Sequence, residues 1–243
     1  MYHLKQLVGK QIDLEISGGI FLQGILVDLG LDIIVLYNGK DYLYIPHVHI
    51  QNVKLSTELN NELQGDKIEV PFRDDENEIS YRKTLLSAKG RFVQIYIIGD
   101  KAIHGYITNI LNDYFVFYSP IYKTMLISLN HLKWLIPYRS SLTPYTLGNE
   151  ALPVKPTNSP MQRSLEEQLK KCEDSLVILD CGDHPMKTGL LKQVQNSMVQ
   201  LILANGEFVY WKISHIKAVY FHSHSATYVL RVSECICIHF DIL

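Results

Sequence analysis

Leu22 to Lys54 reads LQGILVDLGLDIIVLYNGKDYLYIPHVHIQNVK, and the chain says the same thing twice more. The second copy is Ile103 to Trp134, IHGYITNILNDYFVFYSPIYKTMLISLNHLKW, and the third is Lys187 to Ala218, KTGLLKQVQNSMVQLILANGEFVYWKISHIKA. Gly24, Gly105 and Gly189 stand 81 and 84 residues apart, and His49, His131 and His215 stand 82 and 84 apart. Each copy carries an apolar strand after the Gly, a polar turn (Gly30-Leu31-Asp32, Asn112-Asp113, Gln195-Asn196-Ser197) and a β-branched or aromatic strand. A second turn follows at Asn38-Gly39-Lys40, Ser119-Pro120 and Ala204-Asn205-Gly206, then another strand, a break at the His and a short final strand.

One further strand precedes each Gly, at Gln11 to Ile16, Phe92 to Ile98 and Ser175 to Leu179, so each unit reads as five short antiparallel strands. So few strands cannot bury both faces of an open sheet, and the economical solution is a bent sheet closed on itself as a small barrel. A Gly inside a strand marks a sharp bend or bulge, which is the role expected of Gly24, Gly105 and Gly189. The fold class expected is mainly β: three tandem five-stranded barrels, each preceded by a short helix, plus a C-terminal strand.

The lead-in helices are read from Leu4, Leu7 and Val8, from Tyr81, Leu85 and Leu86, and from Leu165 and Leu169, where Ser164 and Glu167 form a capping box. The resulting organisation is repeat 1 over 1–57, an acidic linker over 58–79, repeat 2 over 80–137, a Pro-rich linker over 138–163, repeat 3 over 164–222 and a strand extension over 223–243. Ser56 to Ser80 holds eight acids against Lys67 and Arg73 and reads as a solvated connector, with Lys67 to Phe72 able to lie along a sheet edge. Pro137 to Pro160 holds five of the nine prolines and should be extended and partly stiff.

A net charge of -2 with 47% hydrophobic and 20% charged residues describes an ordinary globular chain, not a polyanion-coating one. No apolar run approaches the length of a membrane span, and the N-terminal MYHLKQLVGK has no apolar signal core, so synthesis in the cytoplasm is expected, with no membrane partner. The four cysteines, Cys172, Cys181, Cys235 and Cys237, are expected as thiols in a β core; a metal site built from Cys235, Cys237, Cys181, His184 and His239 would lack the usual spacing of zinc ligands. No nucleophile elbow, phosphate loop, metalloprotease helix or dinucleotide fingerprint is present. The expectation is therefore no enzyme, no catalytic or metal-binding residues and no cofactor.

The recurring His49, His131 and His215 read first as structural residues that satisfy backbone groups at a tight connection, and alternatively as a ligand rim repeated by pseudo-symmetry. Lys133, Trp134, Trp211 and Lys217 lie nearby and are candidate nucleic-acid contacts, a ring for a base beside a cation. The first copy has Gln51 and Asn52 where the second has Lys133 and Trp134, so such a site is not reproduced threefold.

Helix, bent strands, the second-strand Gly and the break before the fifth strand resemble the Sm-like barrel of Sm, LSm and Hfq proteins. Tyr210-Trp211-Lys212-Ile213-Ser214-His215 is similar to the Tyr-Lys-His signature of Hfq without matching it. The triplication resembles the spore coat protein B (CotB) family of Bacillus-type endospore formers. The segments that carry this likeness are Gly24-Ile25-Leu26-Val27 with His49-Ile50-Gln51-Asn52-Val53, Gly105-Tyr106-Ile107-Thr108 with His131-Leu132-Lys133-Trp134-Leu135, and Gly189-Leu190-Leu191-Lys192 with His215-Ile216-Lys217-Ala218-Val219. The family's Arg-Gly-Gly-Pro-Glu turn is absent, and Ser17-Gly18-Gly19 is its nearest remnant. The resemblance implies a structural, self-associating component of the spore coat or exosporium, made in the mother-cell cytoplasm and partnered by other coat proteins. The alternative that the barrel resemblance implies is an RNA- or nucleotide-binding module.

Overall fold

A computed structural model describes residues 2–57, 70–72, 78–138, 144–146 and 160–221. Most of both expected linkers, the C-terminal strand extension at 223–243 and with it Cys235, Cys237 and His239 lie outside the described residues.

The protein is mainly β, as its turn spacing predicts. The first unit contains β1 (Gln11–Ile16), β2 (Ile20–Leu29), β3 (Ile33–Tyr37), β4 (Tyr42–Pro46) and β5 (Ile50–Leu55). The second contains β6 (Phe92–Ile98), β7 (Lys101–Ile110), β8 (Tyr114–Ser119), β9 (Lys123–Ser128) and β10 (Trp134–Pro137). The third contains β11 (Leu176–Leu179), β12 (Thr188–Gln195), β13 (Met198–Ile202), β14 (Phe208–Lys212) and β15 (Ala218–Phe221). Short helices α1 (Tyr2–Lys5), α2 (Tyr81–Ala88) and α3 (Leu165–Lys170) lead into the units. Ser80 and Ser164 cap the second and third helices, each side chain accepting from an amide three residues on.

One expectation is overturned. The units do not close on themselves through hydrogen bonds: all strands among the described residues join one open antiparallel sheet of 15, in the order β14-β13-β12-β11-β15-β9-β8-β7-β6-β10-β4-β3-β2-β1-β5. Within each unit the fifth strand pairs with the first, while the fourth strand of one unit pairs with the fifth strand of the next. At the two internal junctions the amides that closure would have satisfied are satisfied by the neighbouring unit instead.

The bend is where the glycines predict it. A Cβ on Gly24 would lie 2.3 Å from the Tyr37 carbonyl oxygen, on Gly105 2.1 Å from that of Tyr118, and on Gly189 2.5 Å from that of Ile202. Only a residue without a side chain lets the second strand approach the third this closely. Three residues later each second strand carries a bulge, the ladder stepping over Val27, Thr108 and Lys192 in turn. Gly and bulge together turn the sheet sharply at the same point of each unit.

Bending gives the third and fourth strands two apolar faces. Leu26, Ile34, Leu36, Leu43 and Ile45 pack with Ile12, Leu14 and Ile16 in the first unit's own core. Their neighbours Ile33, Val35 and Tyr44 face the other way, into a core shared with Val93, Ile95, Phe115, Phe117 and helix residues Leu85 and Ala88 of the second unit. Tyr114, Val116 and Leu126 of the second unit are shared in the same way with Leu165, Leu169, Val177 and Val219 of the third. Phe72, from the edge of the acidic connector, lies on Tyr44 with ring centroids 5.4 Å apart and carries the Arg91 guanidinium 5.1 Å above its ring.

Substituting Gly105→Ala forces its new methyl into backbone that cannot rotate away. We expect a loss of about 2–3 kcal/mol in urea unfolding, with Gly189→Ala, whose contact is looser, losing less; equal or negligible losses would show that the bend does not depend on the close approach.

Candidate functional site

The two internal junctions and the histidine turns beside them form the candidate site. At each turn the chain leaves the fourth strand through an extended residue (Pro46, Ser128, Lys212) and makes a single 3-10 turn at His47–His49, Leu129–His131 or Ile213–His215. It re-enters the sheet as the fifth strand within three residues. That geometry directs His49 and His131 toward the following unit.

The three histidines are graded by what covers them. His49 is buried, its Nδ1 paired with the Ser17 hydroxyl at 2.9 Å and its Nε2 enclosed without a hydrogen-bond partner beside the Leu132 backbone of the second unit. His131 is half-buried, and its Nε2 lies 2.9 Å from the Ser214 carbonyl oxygen of the third unit, to which the N–H of that tautomer donates. His215 is exposed. Burial holds His49 well below the usual imidazole range, at about 4, helped by the nearby charges of His131 and Lys133. Lys133 is itself pushed down by burial and by Lys217, and its ammonium comes within 2.7 Å of the point where a Cβ on Gly18 would lie. Lys133 thus lies against Gly18 of the first unit and is near enough to Lys217 to feel its charge.

The two tryptophans do not join them. Trp134 is 5% exposed and stacked on Tyr96 at 4.1 Å, inside the core between the first two units, so neither face is open to a base. Trp211 is half-buried on β14; its indole N–H donates to the Met186 carbonyl oxygen at 3.1 Å, and the Lys187 ammonium lies over its ring. The nucleic-acid contacts expected at Lys133, Trp134, Trp211 and Lys217 therefore resolve into one lysine pair and two separate structural rings. Gly24, Gly105 and Gly189 lie at the bends, away from the rim.

Asp180 escaped the sequence reading. It is fully buried; its Oδ1 accepts from the Lys217 and Ala218 amides at 2.6 and 3.0 Å, and its Oδ2 meets the Lys187 ammonium at 2.7 Å. The carboxylate thereby starts β15, the strand that joins the third unit to the second, in the place where Ser17 serves the first unit by binding His49. Its signal in the sequence was a lone acid directly after the apolar Leu176 to Leu179 run.

Among the described residues no group of three or more His, Cys, Asp or Glu side chains is placed to hold a metal. Burial pushes the Cys172 and Cys181 thiols up to about 11. A cleft of about 430 Å³ beside β5 is lined in part by Asp13, Phe21, Gln23 and Lys54, and three of its polar groups pair with one another: Gln23 donates to Asp13 and Lys54 bridges to the same carboxylate. No helix among the described residues is long and apolar enough to cross a membrane.

Because the folded chain holds His49 neutral, the unfolded chain binds the proton more tightly. Its contribution to stability is therefore present above pH 6.5 and lost as pH falls toward 4. His47 and His104, also held low by burial, act with the same sign. The urea midpoint should drop over this interval, and His49→Gln should flatten the drop. An unchanged slope in that variant would remove His49 from the account.

A family model described as the YwrJ third domain matches residues 164–219, the segment that forms the third unit. The YwrJ protein of Bacillus subtilis (strain 168) is 43% identical over 223 residues, an alignment covering 90% of this chain and 99% of that protein. Agreement of this extent runs through all three units and not only through the matched third, and on it the chain belongs to the YwrJ family.

Proposed function

We propose that this protein is a non-enzymatic structural component of the bacterial spore coat or exosporium, built of three Sm-like units and assembling through its strand edges with other coat proteins and with itself. The observation that carries the reading is the open sheet whose units are joined twice in the same way, fourth strand to fifth. Such a repeat has no intrinsic end. Sm-like barrels characteristically associate through exposed edge strands, and the CotB-like triplication supplies the setting. Kinship with a Bacillus protein points to the same kind of host. Burial supports the role too: a lone 50-residue unit buries only about 60% of its unfolded surface, and each junction adds side chains worth about 1.5–3 kcal/mol when fully buried. In this reading the chain is made in the mother-cell cytoplasm and then deposited around the forespore.

A fluorescent fusion in a sporulating Bacillus host tests it. The expected result is a shell around the forespore that persists through mother-cell lysis; diffuse fluorescence throughout growth and sporulation would defeat the coat reading.

A second reading has one observation in its favour. Lys133 and Lys217 stand close enough for Lys217 to lower the pKa of Lys133, an arrangement an anion would relieve. On that reading the rim of His131, His215 and the two lysines takes a phosphate of single-stranded RNA or of a nucleotide. Fluorescence anisotropy with a labelled oligoribonucleotide at rising salt is the measurement. Binding that falls steeply with salt and is lost in Lys133→Gln is the signature; absence of binding at low salt eliminates this reading.

A further inference from the structure

Both internal junctions have the same register. Leu135 lies opposite Tyr44, and Val219 lies opposite Leu126. Counted from the landmark histidines, each pair sets the residue four after one histidine (131 + 4, 215 + 4) against the residue five before the preceding one (49 − 5, 131 − 5). Among the described residues the ends of the sheet are β14, a fourth strand, and β5, a fifth strand. We propose that a second copy of this chain completes a third junction, β14 of one copy pairing antiparallel with β5 of the next, with Tyr210 opposite Val53. This deepens the assembly reading above by naming the partner, the strands and the register.

Backbone direction agrees with it. The Ile213 amide donates inward to Ser197, and because amides alternate in direction along an antiparallel strand, those of Phe208, Tyr210 and Lys212 face the open edge. The Ser56 amide donates inward to Gln11, so those of Val53 and Leu55 face the other open edge, with Gln51 at the irregularity where the ladder to β1 shifts register. The Tyr210–Val53 register sets these two rows of amides opposite each other. It also matches Lys212 with Gln51, the counterpart of the Ser128 amide donating to the Lys217 carbonyl at the second junction.

Side chains tell the same story at both ends. Tyr44 and Leu126 are 1% and 2% exposed within their junctions, whereas Tyr210 at the equivalent position is 61% exposed. At the opposite end Leu4 and Leu7 of the first unit are only half-buried, while their counterparts Leu85 and Ala88, and Leu169 and Cys172, are buried against the preceding unit's outer face. His215, whose counterparts touch the next unit, is exposed. Among the described residues no unit follows the third and none precedes the first, and each end carries what the other end is missing.

The new junction is weaker than the internal ones. Gln200, hydrogen-bonded to the Tyr210 hydroxyl at 2.8 Å, stands where Val35 and Val116 face the neighbouring core, and Asn52 and Lys54 replace Trp134 and Ile136 on the other side. The association should therefore be reversible with dilution. A heterologous junction of this kind closes into a ring when its rotation allows and otherwise extends as a filament.

Sedimentation of the purified full chain, wild type and variant, tests the proposal. Wild type should associate at tens of micromolar. Tyr210→Pro and Val53→Pro each delete one outward amide while sparing the inward ladders, and each alone should be monomeric. Mixed in equal amounts they should give a complex of two chains and nothing larger, because each retains the edge the other has lost. Should a proline unfold its chain by circular dichroism, Phe208→Asp and Leu55→Asp replace it, since both side chains are more than half or about half exposed and tolerate change. A monomeric wild type overturns the proposal, as do single variants that associate like wild type. A monomeric full chain whose truncation after Phe221 associates assigns the edge to the chain's own C-terminal segment and overturns it too. Forespore localisation is read independently, so failure here leaves the coat reading standing, and failure there leaves the junction standing.

Discussion

Unpaired amides at the edges of a short, bent sheet are the constraint on which this structure depends. A flat sheet of five strands would expose one apolar face, and a barrel sealed by hydrogen bonds would consume both its edges. The YwrJ-family chain does neither. Glycine and bulge bend each second strand, so that the first four strands wrap an apolar core, yet the fourth strand stops short of its own fifth and offers its edge to the next unit. Every later feature follows from that transfer.

The transfer explains why β3 is buried at all five positions while β13 alternates. In the first two units the outward residues of the third and fourth strands are covered by the helix and sheet of the following unit. Ile33, Val35 and Tyr44 are core residues of a junction as much as of a strand. In the third unit the same positions are Met198, Gln200 and Tyr210, which meet no following unit. Helix capping belongs to the same scheme. Asp32 accepts from the Tyr81 amide and Asp113 from the Leu165 amide, so the turn of one unit anchors the first residue of the next unit's helix. The connectors expected to be solvated or extended and partly stiff therefore end in fixed points.

Polar chemistry is used to hold strands in place. Ser17 in the first unit and Asp180 in the third occupy the same site before the fifth strand, one a hydroxyl on an imidazole and the other a carboxylate on two amides and an ammonium. The buried carboxylate is fully partnered, which is the condition under which such a group is compatible with an apolar interior. Across the series the landmark histidine passes from buried to half-buried to exposed, and its chemistry passes from a proton-resistant packing element to an accessible imidazole.

By itself the sequence determined the β class, the three copies, their strands to within a residue or two, and the bend glycines, because these are local. Strand periodicity, turn residues and a Gly at a constant offset are properties of a few neighbouring residues. It could also say that His49, His131 and His215 are equivalent. Only the tertiary structure decided that the units share one sheet, that Trp134 is a core ring on Tyr96, and that Asp180 starts β15. Alternation along a strand says which face a side chain takes and nothing about which strand lies alongside. The apolar run of Ile33 to Tyr37 is the same whether its second face meets its own unit or the next one, and that choice is made by residues such as Leu85, Val93 and Phe115, far away in the chain.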